Sequence, residues 1–154
     1  MVAVRRGKVT KSGGKVTSRS GLERTIRAGL ERDKVPYEYE SERFKFPLPQ
    51  PGHRCQGCGS TDVVRTSTYT PDFVLYPKSP SPVFVEAKGR FTGTNRRRLL
   101  AFRGELPGID LRLVFQRDNY LYKSSKVRYS GWSRDHGFQY HVGNEVPKKW
   151  LRRE

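Results

Sequence analysis

Two short apolar runs near the middle of the chain predict a β-hairpin. Residues 69–76 and 83–89 are rich in β-branched and aromatic residues, and the segment between them contains three prolines and two serines. This pattern is typical of two antiparallel strands joined by a loop. Because side chains alternate along a strand, Phe84, Glu86 and Lys88 are expected to share one face of the second strand.

Folding at this loop brings Asp72 to the end of the hairpin that carries Glu86 and Lys88. Asp72 joins these two side chains only if the register sets it opposite one of them, because a slip of one residue turns it to the other face. The sequence leaves this register open.

Helical patterns flank the hairpin on both sides. Ser20 is a candidate N-cap of a first helix, with Glu23 three positions later in a capping-box pattern, and the helix is expected to end before Pro36. Thr94-Asn95 is expected to cap a second helix over residues 96–105. Shorter helical segments are predicted near residues 129–137 and 147–150.

Period-two alternation predicts further extended segments over residues 37–48 and 109–116. The second of these follows a helix that follows a strand, so a parallel crossover onto the hairpin sheet is expected. The predicted fold class is therefore α/β, with a mixed β-sheet flanked by helices.

Composition indicates one basic domain. The 154 residues carry a formal net charge of +16, which implies a polyanionic partner. Nucleic acid is favoured over a membrane, because nothing resembles an apolar span of the ~20 residues that cross a bilayer. Residues 1–17 are interpreted as a basic flexible arm and 18–154 as a single domain. Two cysteines and no apolar leader indicate a reduced, cytoplasmic protein.

The candidate chemistry lies at the end of the hairpin. Two carboxylates, Asp72 and Glu86, are suited to Mg²⁺ or Mn²⁺, and Lys88 beside them could steer or deprotonate a water molecule. This set of side chains is suited to metal-assisted phosphodiester hydrolysis. The alternative is a surface Glu/Lys pair beside a turn aspartate, because Glu-x-Lys alone is a common pattern.

These residues also carry a family resemblance. Pro71-Asp72 followed by Glu86-Ala87-Lys88 resembles the signature of the PD-(D/E)xK nuclease superfamily. Within it, the chain is similar to phage endonuclease I, a family of Holliday-junction resolvases, over residues from about 18 to 151. The similar blocks occur in the family's order and comprise Ser20-Gly21-Leu22-Glu23, Tyr37-Glu38-Tyr39-Glu40, Tyr69-Thr70-Pro71-Asp72-Phe73, Val85-Glu86-Ala87-Lys88-Gly89 and Asp110-Leu111-Arg112-Leu113-Val114-Phe115.

The resemblance implies a restriction-endonuclease-like core in a strand-exchanged homodimer. It assigns Asp72, Glu86 and Lys88 to catalysis and adds Glu23 as a third carboxylate, supplied by the other chain. The implied function is a structure-selective, Mg²⁺-dependent endodeoxyribonuclease that resolves four-way and branched DNA by paired nicks. In the family, this activity serves DNA recombination and breakdown in the cytoplasm of an infected bacterium.

Six basic residues are candidates for DNA contact. One group belongs to the second predicted helix, and the other lies among tyrosines, which suits phosphates and exposed bases. Solvated basic side chains and packing tyrosines are the alternatives. The candidates are Arg96, Arg97, Arg98, Lys123, Lys126 and Arg128.

Cys55-x-x-Cys58 lies in an insertion over about residues 47–66, where the family passes its bridge between subunits, and it departs from the family pattern. It resembles half of a zinc ribbon, and structural zinc takes four ligands. The same two cysteines of a second chain could complete the site. His53 with His136, His141 or water is the competing set, and an unliganded loop is the third possibility.

Two other functions remain open. A restriction-like nuclease that cuts duplex DNA by sequence would use the same core chemistry but needs base-reading elements, which the sequence does not reveal. A non-enzymatic zinc-knuckle protein that binds nucleic acid would explain the charge and the cysteines, but it would leave the carboxylates and the lysine without a role.

Overall fold

The computed structural model describes residues 20–50, 52–61, 63–76 and 81–151 of the chain. The predicted basic arm and most of the loop within the central hairpin lie outside these described residues. Within them, no helix combines the length and the apolar character needed to cross a membrane. The helices are α1 (Gly21–Arg32), α2 (Gly93–Glu105) and α3 (Tyr129–Asp135), followed by a 3₁₀ turn at Lys148–Leu151.

A mixed five-stranded sheet forms the centre of the molecule. Its strands lie in the order β1, β4, β5, β6, β7, and β2 pairs with β3 in a separate two-stranded sheet. β4 is antiparallel to both of its neighbours, β1 and β5, whereas β5, β6 and β7 are parallel. The predicted mixed α/β fold and the parallel crossover are thus confirmed. The strands are β1 (Tyr37–Tyr39), β2 (Phe44–Pro49), β3 (Val64–Tyr69), β4 (Phe73–Leu75), β5 (Val83–Lys88), β6 (Asp110–Phe115) and β7 (Gln139–Val142).

The two faces of β5 contact different apolar clusters, as the alternation of its residues predicts. Phe84 packs into a cluster that includes Leu99 and Phe102 of α2. On the opposite face, Val83 and Val85 pack into a cluster with the apolar residues of α1. The sheet is therefore covered by a helix on each side, which fixes the direction of the polar residues at the end of β5.

The first helix begins as predicted, and the second does not. The Ser20 hydroxyl accepts a hydrogen bond from the Glu23 N–H at 3.2 Å and caps α1. The predicted cap of α2 at Thr94-Asn95 is wrong, because Thr92 is the N-cap and the helix starts at Gly93. The Thr92 hydroxyl accepts from the Asn95 N–H, and the Asn95 side-chain oxygen accepts from the Thr92 N–H.

Extended segments are more divided than the sequence pattern indicates. The predicted run over residues 37–48 breaks into β1 and β2 at Glu40, which has a positive φ of 45°. Likewise, residues 69–76 do not form one strand: Tyr69 ends β3, and Asp72 lies just before the short strand β4. These breaks separate the edge of the main sheet from the β2–β3 hairpin.

Candidate active site

The register of the central hairpin brings Asp72 to the end of β5. Phe73 pairs with Val85, so the next position places Asp72 opposite Glu86. This is the arrangement that the candidate chemistry requires. The N–H of Ala87 donates a hydrogen bond of 2.7 Å to Oδ2 of Asp72, which holds the carboxylate against the neighbouring strand.

Glu86 is held from both sides. Nζ of Lys88 lies 2.5 Å from its Oε1, and the Tyr69 hydroxyl donates a 2.6 Å hydrogen bond to its Oε2. The Glu86 side chain is 4% exposed and that of Lys88 is 25% exposed. Lys88 is therefore the member of the pair that reaches solvent, and from there it can meet a bound substrate.

Glu23 joins this cluster from α1 of the same chain. Its Oε1 accepts a 2.8 Å hydrogen bond from the Ser20 hydroxyl, and its Oε2 accepts one of 2.5 Å from the Tyr39 hydroxyl. Glu23 is buried at the start of the helix, and its charge acts on both Asp72 and Lys88. Glu23 can therefore contact the cap of α1 and lie near the other carboxylate at the same time. Glu23 thus acts on Asp72 and Lys88 through its charge within one chain, but the three carboxylates do not form a group arranged to hold a metal ion among the described residues.

The pKa values of Asp72 and Lys88 are both raised, which favours the neutral form of Asp72 and the charged form of Lys88. Burial, reinforced by the charge of Glu86, raises the pKa of Asp72 to about 8, although the Ala87 N–H and Lys88 oppose the shift. For Lys88, burial lowers the pKa, but the charge and the hydrogen bond of Glu86 outweigh it, and the pKa is raised. Lys88 is consequently an ammonium ion at neutral pH, and Asp72 exchanges its proton near neutrality.

Two tyrosines of the site were not recognised as functional residues from the sequence. Tyr69 is buried, and burial together with the charge of Glu86 raises its pKa well above the usual value, so it stays a neutral donor. The guanidinium of Arg98 lies 6.0 Å from the Tyr69 ring centre, and Arg98 also donates to the carbonyl of Thr68. Tyr39 donates to Glu23 in the same manner. Both tyrosines lie in the family blocks. Aromatic residues in strands usually indicate packing, so the sequence did not indicate that the two hydroxyls contact carboxylates.

The donor set fits a magnesium ion that keeps several of its waters. No group of three or more histidine, cysteine, aspartate or glutamate side chains is arranged for a metal ion among the described residues. Magnesium typically takes only one or two carboxylates, and Asp72 and Glu86 supply these. The raised pKa of Asp72 reflects buried negative charge that Lys88 alone does not balance. A divalent cation would supply the missing positive charge.

The candidate DNA-contact residues divide into two groups. Arg96 donates a 2.7 Å hydrogen bond to the Phe91 carbonyl, and Arg98 contacts the Thr68 carbonyl. Arg128 donates to the Asp118 carbonyl at 2.9 Å and lies over the Tyr120 ring. These three side chains are therefore engaged within the protein. The other three, Arg97, Lys123 and Lys126, are exposed, and Arg128 is exposed as well despite its contacts.

The two cysteines lie far from the carboxylates. They occupy the loop of the β2–β3 hairpin, beyond the last pair Pro49–Val64, whereas Tyr69 belongs to the first pair at the other end. A strand rises ~3.3 Å per residue, so the loop begins roughly 17 Å from the Tyr69 end. Cys55 and Cys58 are consequently a second feature of the molecule and not part of the carboxylate cluster.

Comparison with known proteins identifies the family. The family model described as Phage endonuclease I matches residues 3–154. Endonuclease I of Escherichia phage T7 is 31% identical over 135 residues, which cover 87% of this chain and 78% of the relative. Endodeoxyribonuclease 1 of Enterobacteria phage T3 is 32% identical over 138 residues, 85% of this chain and 79% of the relative. The chain belongs to the phage endonuclease I family.

Proposed function

We propose that this protein is a metal-dependent endodeoxyribonuclease that resolves four-way and branched DNA by paired nicks. The observation that carries the proposal is the cluster of Asp72, Glu86 and Lys88 at the end of one buried hairpin. The relatives from phages T7 and T3 are named as an endonuclease and an endodeoxyribonuclease. A net charge of +16 supports a polyanionic substrate.

Asp72 and Glu86 would hold Mg²⁺, or Mn²⁺ in its place. When bound, the ion supplies charge neutralisation at the phosphodiester and acidifies the attacking water. The contacts that Glu86 makes with Lys88 and Tyr69 do not exclude this role, because each carboxylate oxygen has two lone pairs. The hydrogen bond from Ala87 to Oδ2 of Asp72 leaves Oδ1 outside that contact.

Lys88 acts as a charged donor in this proposal. Without a bound metal its raised pKa keeps it protonated at neutral pH, which favours the steering of water over its deprotonation by Lys88. A fixed ammonium beside the carboxylates positions the phosphate or the attacking water by hydrogen bonding and stabilises negative charge that develops at phosphorus. The partial exposure of Lys88 supports this contact with the substrate.

The functional unit is proposed to be a homodimer built on a restriction-endonuclease-like core. A four-way junction has near two-fold symmetry, so two sites related by a two-fold axis would meet equivalent strands. Exchange of the N-terminal segment would place Glu23 of one chain beside Asp72 of the other. The contacts between α1 and β5 are compatible with either arrangement, because strand exchange would keep the same packing and change only the chain that supplies α1.

One assay tests the proposed activity against its alternatives. The full chain is incubated with a four-way junction, a linear duplex and a single strand, each with and without Mg²⁺. We expect Mg²⁺-dependent paired nicks in the junction and little cleavage of the other two substrates. Sequence-dependent cutting of the duplex would instead identify a restriction-like nuclease, and tight binding without any cleavage would identify a binding protein.

Three substitutions test the residue assignment in the same assay. Asp72→Asn, Glu86→Gln and Lys88→Ala should each abolish cleavage while junction binding remains, because binding depends mainly on distributed phosphate contacts. Asp110→Asn is a matched control, since this aspartate pairs with Arg112 at the opposite end of the parallel strands. Parental cleavage rates in all three variants would refute the proposed site.

A mixing experiment tests strand exchange. Glu23→Ala chains are unfolded and refolded together with Asp72→Ala chains, and nicks per junction are counted. If Glu23 acts across the dimer, one site collects both substitutions and the other collects neither, so one nick per junction survives. A mixed dimer as inactive as the two parent variants would refute strand exchange. If the Glu23→Ala variant alone is fully active, Glu23 has no role in cleavage and only contacts the helix cap.

A further inference from the structure

The loop between β2 and β3 carries two thiols that the proposed cleavage chemistry does not use. Both cysteines are free, Cys55 is half-buried and Cys58 is exposed. The described residues of the loop and its ends make four backbone hydrogen bonds: Val63 accepts from Gln50 at 2.8 Å, Gln50 from His53 at 3.2 Å, Ser60 from Cys55 at 2.8 Å, and Cys55 from Gly59 at 2.9 Å. Residues 52–61 therefore form a hydrogen-bonded turn.

The backbone of this turn is folded around one sulfur atom. The backbone N–H groups of Gly57, Cys58 and Gly59 and the Cys58 thiol all donate hydrogen bonds to the Cys55 sulfur. Gly59 has a φ of 71°, a conformation that favours glycine and lets the chain turn back after the second cysteine. Backbone donors aimed at sulfur stabilise a thiolate, and the thiolate is the form of cysteine that binds metal.

A zinc ion needs two more ligands than this loop supplies. Among the described residues, no group of three potential ligands comes together, so neither His53 nor a distant histidine completes the set. Outside the described residues, the sequence contains two further residues of these ligand types, Asp62 and Glu154. Structural zinc favours four ligands, with sulfur prominent among them. The nearest chemical match to this thiol pair is the same pair in another copy of the chain.

We propose that Cys55 and Cys58 form half of a zinc site, which is completed by Cys55 and Cys58 of a second copy of this chain. Binding releases the remaining thiol protons to solvent, and four thiolates then hold one Zn²⁺ with a net charge of −2. No oxidant or reductant is required.

Charge and exposure favour this arrangement over an isolated loop. Each chain carries a formal charge of +16, so two copies repel one another, and a negatively charged centre between them reduces this repulsion. His53, Arg54, Gln56 and Cys58 at the end of the hairpin are all exposed, so a second loop can approach the thiols. The ion would lie at the opposite end of the hairpin from Tyr69 and Glu86, away from the carboxylate cluster.

The test is a metal count on the full chain, purified with a reductant from zinc-supplemented culture. Light scattering gives the molar mass and elemental analysis gives the zinc content. We expect a dimer with one zinc per two chains, and Co²⁺ in its place should give the absorption bands of four thiolates. One metal ion per chain, a spectrum with two thiolates, or no metal would each overturn the proposal.

Variants and thiol counts extend this test. Cys55→Ser and Cys58→Ser should each lose the zinc, whereas His53→Ala should retain it; the opposite pattern would refute the thiolate site. In the unsubstituted protein, a zinc-selective chelator should expose both thiols of each chain and raise the dimer dissociation constant about tenfold or more. Thiols that react equally before and after chelation would contradict the proposal even if a variant fails to fold. None of these measurements uses DNA cleavage, so they remain valid whether or not the nuclease assignment holds.

Discussion

The molecule contains two antiparallel hairpins that differ in burial. In the β4–β5 hairpin, all three residues of β4 and the first five residues of β5 are buried. In the β2–β3 hairpin, β2 alternates between buried and accessible positions, and most of β3 is exposed. The first carries carboxylates and a lysine at its end, and the second carries thiols in its loop.

This difference decides what the polar residues can do. Within the buried hairpin, Asp72 and Glu86 are desolvated together, and their mutual repulsion makes a cation favourable. In the exposed hairpin, solvent screens charge, and local backbone donors lower the pKa of one thiol, that of Cys55. Burial thus gives the carboxylate cluster its chemistry, whereas exposure lets the thiol loop meet a second molecule.

The largest expected effect comes from Asp72→Asn. Cleavage should fall by about 10³-fold or more, because several kcal/mol of charge stabilisation are lost.

Without magnesium, the Asp72→Asn substitution should also stabilise the folded protein at high pH. The folded pKa of Asp72 is raised from 3.8 to about 8, so the folded state binds more protons than the unfolded state between these values. Stability contributed by this group is therefore complete near pH 4 and is lost as pH rises through 8.

Chemical denaturation at several pH values without magnesium measures this second effect. The gain in the free energy of unfolding should reach the order of a few kcal/mol above pH 8 and vanish near pH 4. Asp33→Asn is the matched control, because Asp33 is exposed and its hydrogen bond with Arg32 lowers the pKa. A pH-independent gain for Asp72→Asn would contradict the view that buried charge disfavours the metal-free site.

More of the buried hairpin than of the exposed hairpin could be predicted from the sequence. The β-branched residues and the proline-rich loop of the buried hairpin identified β5 and the antiparallel arm before it, although that arm is the short strand β4 and not one strand over residues 69–76. The alternation of β5 identified the face of Glu86 and Lys88. The register of Asp72 was not predictable, because it depends on the pairing of Phe73 with Val85 through backbone hydrogen bonds. The coarse α/β class followed from the order of the elements.

The exposed hairpin was harder to predict. Pro47 and Pro49 argue against a strand, yet both belong to β2, in a two-stranded sheet where the N–H groups on its open side need no partner. The strand β7 was missed because its four residues show no clear alternation. The hydroxyl contacts of Tyr39 and Tyr69 could not be predicted either, because they join residues that lie 16 and 17 positions apart in the sequence.

An intermediate effect is expected for Tyr69→Phe, which removes the hydroxyl bound to Glu86 and keeps the ring. Loss of a group that orients a metal ligand typically costs 10–100-fold in metal affinity or activity. The magnesium concentration for half-maximal cleavage should therefore rise by about this factor. Because the pKa of Tyr69 is raised well above its usual value, the effect should not vary between pH 6 and about 9.

Tyr39→Phe is the matched comparison, since it removes the corresponding hydroxyl from Glu23. We expect a smaller change in magnesium dependence, because Glu23 is not among the two proposed metal ligands. If Tyr69→Phe changes thermal stability but leaves the magnesium titration unaltered, Tyr69 only supports the fold and does not position Glu86.

The smallest effects are expected on α2, where two neighbouring arginines should separate binding from stability. Arg97 is exposed, so Arg97→Gln should weaken junction binding a few-fold and reduce the salt slope by about 0.9, the value for one phosphate contact. Arg98 donates to the Thr68 carbonyl, so Arg98→Gln should lower the free energy of unfolding by about 1 kcal/mol. Its Nε is buried without a hydrogen-bond partner, which limits that loss. Titrations against salt in the inactive Asp72→Asn background measure the first effect, and an unchanged slope for Arg97→Gln would exclude a phosphate contact there.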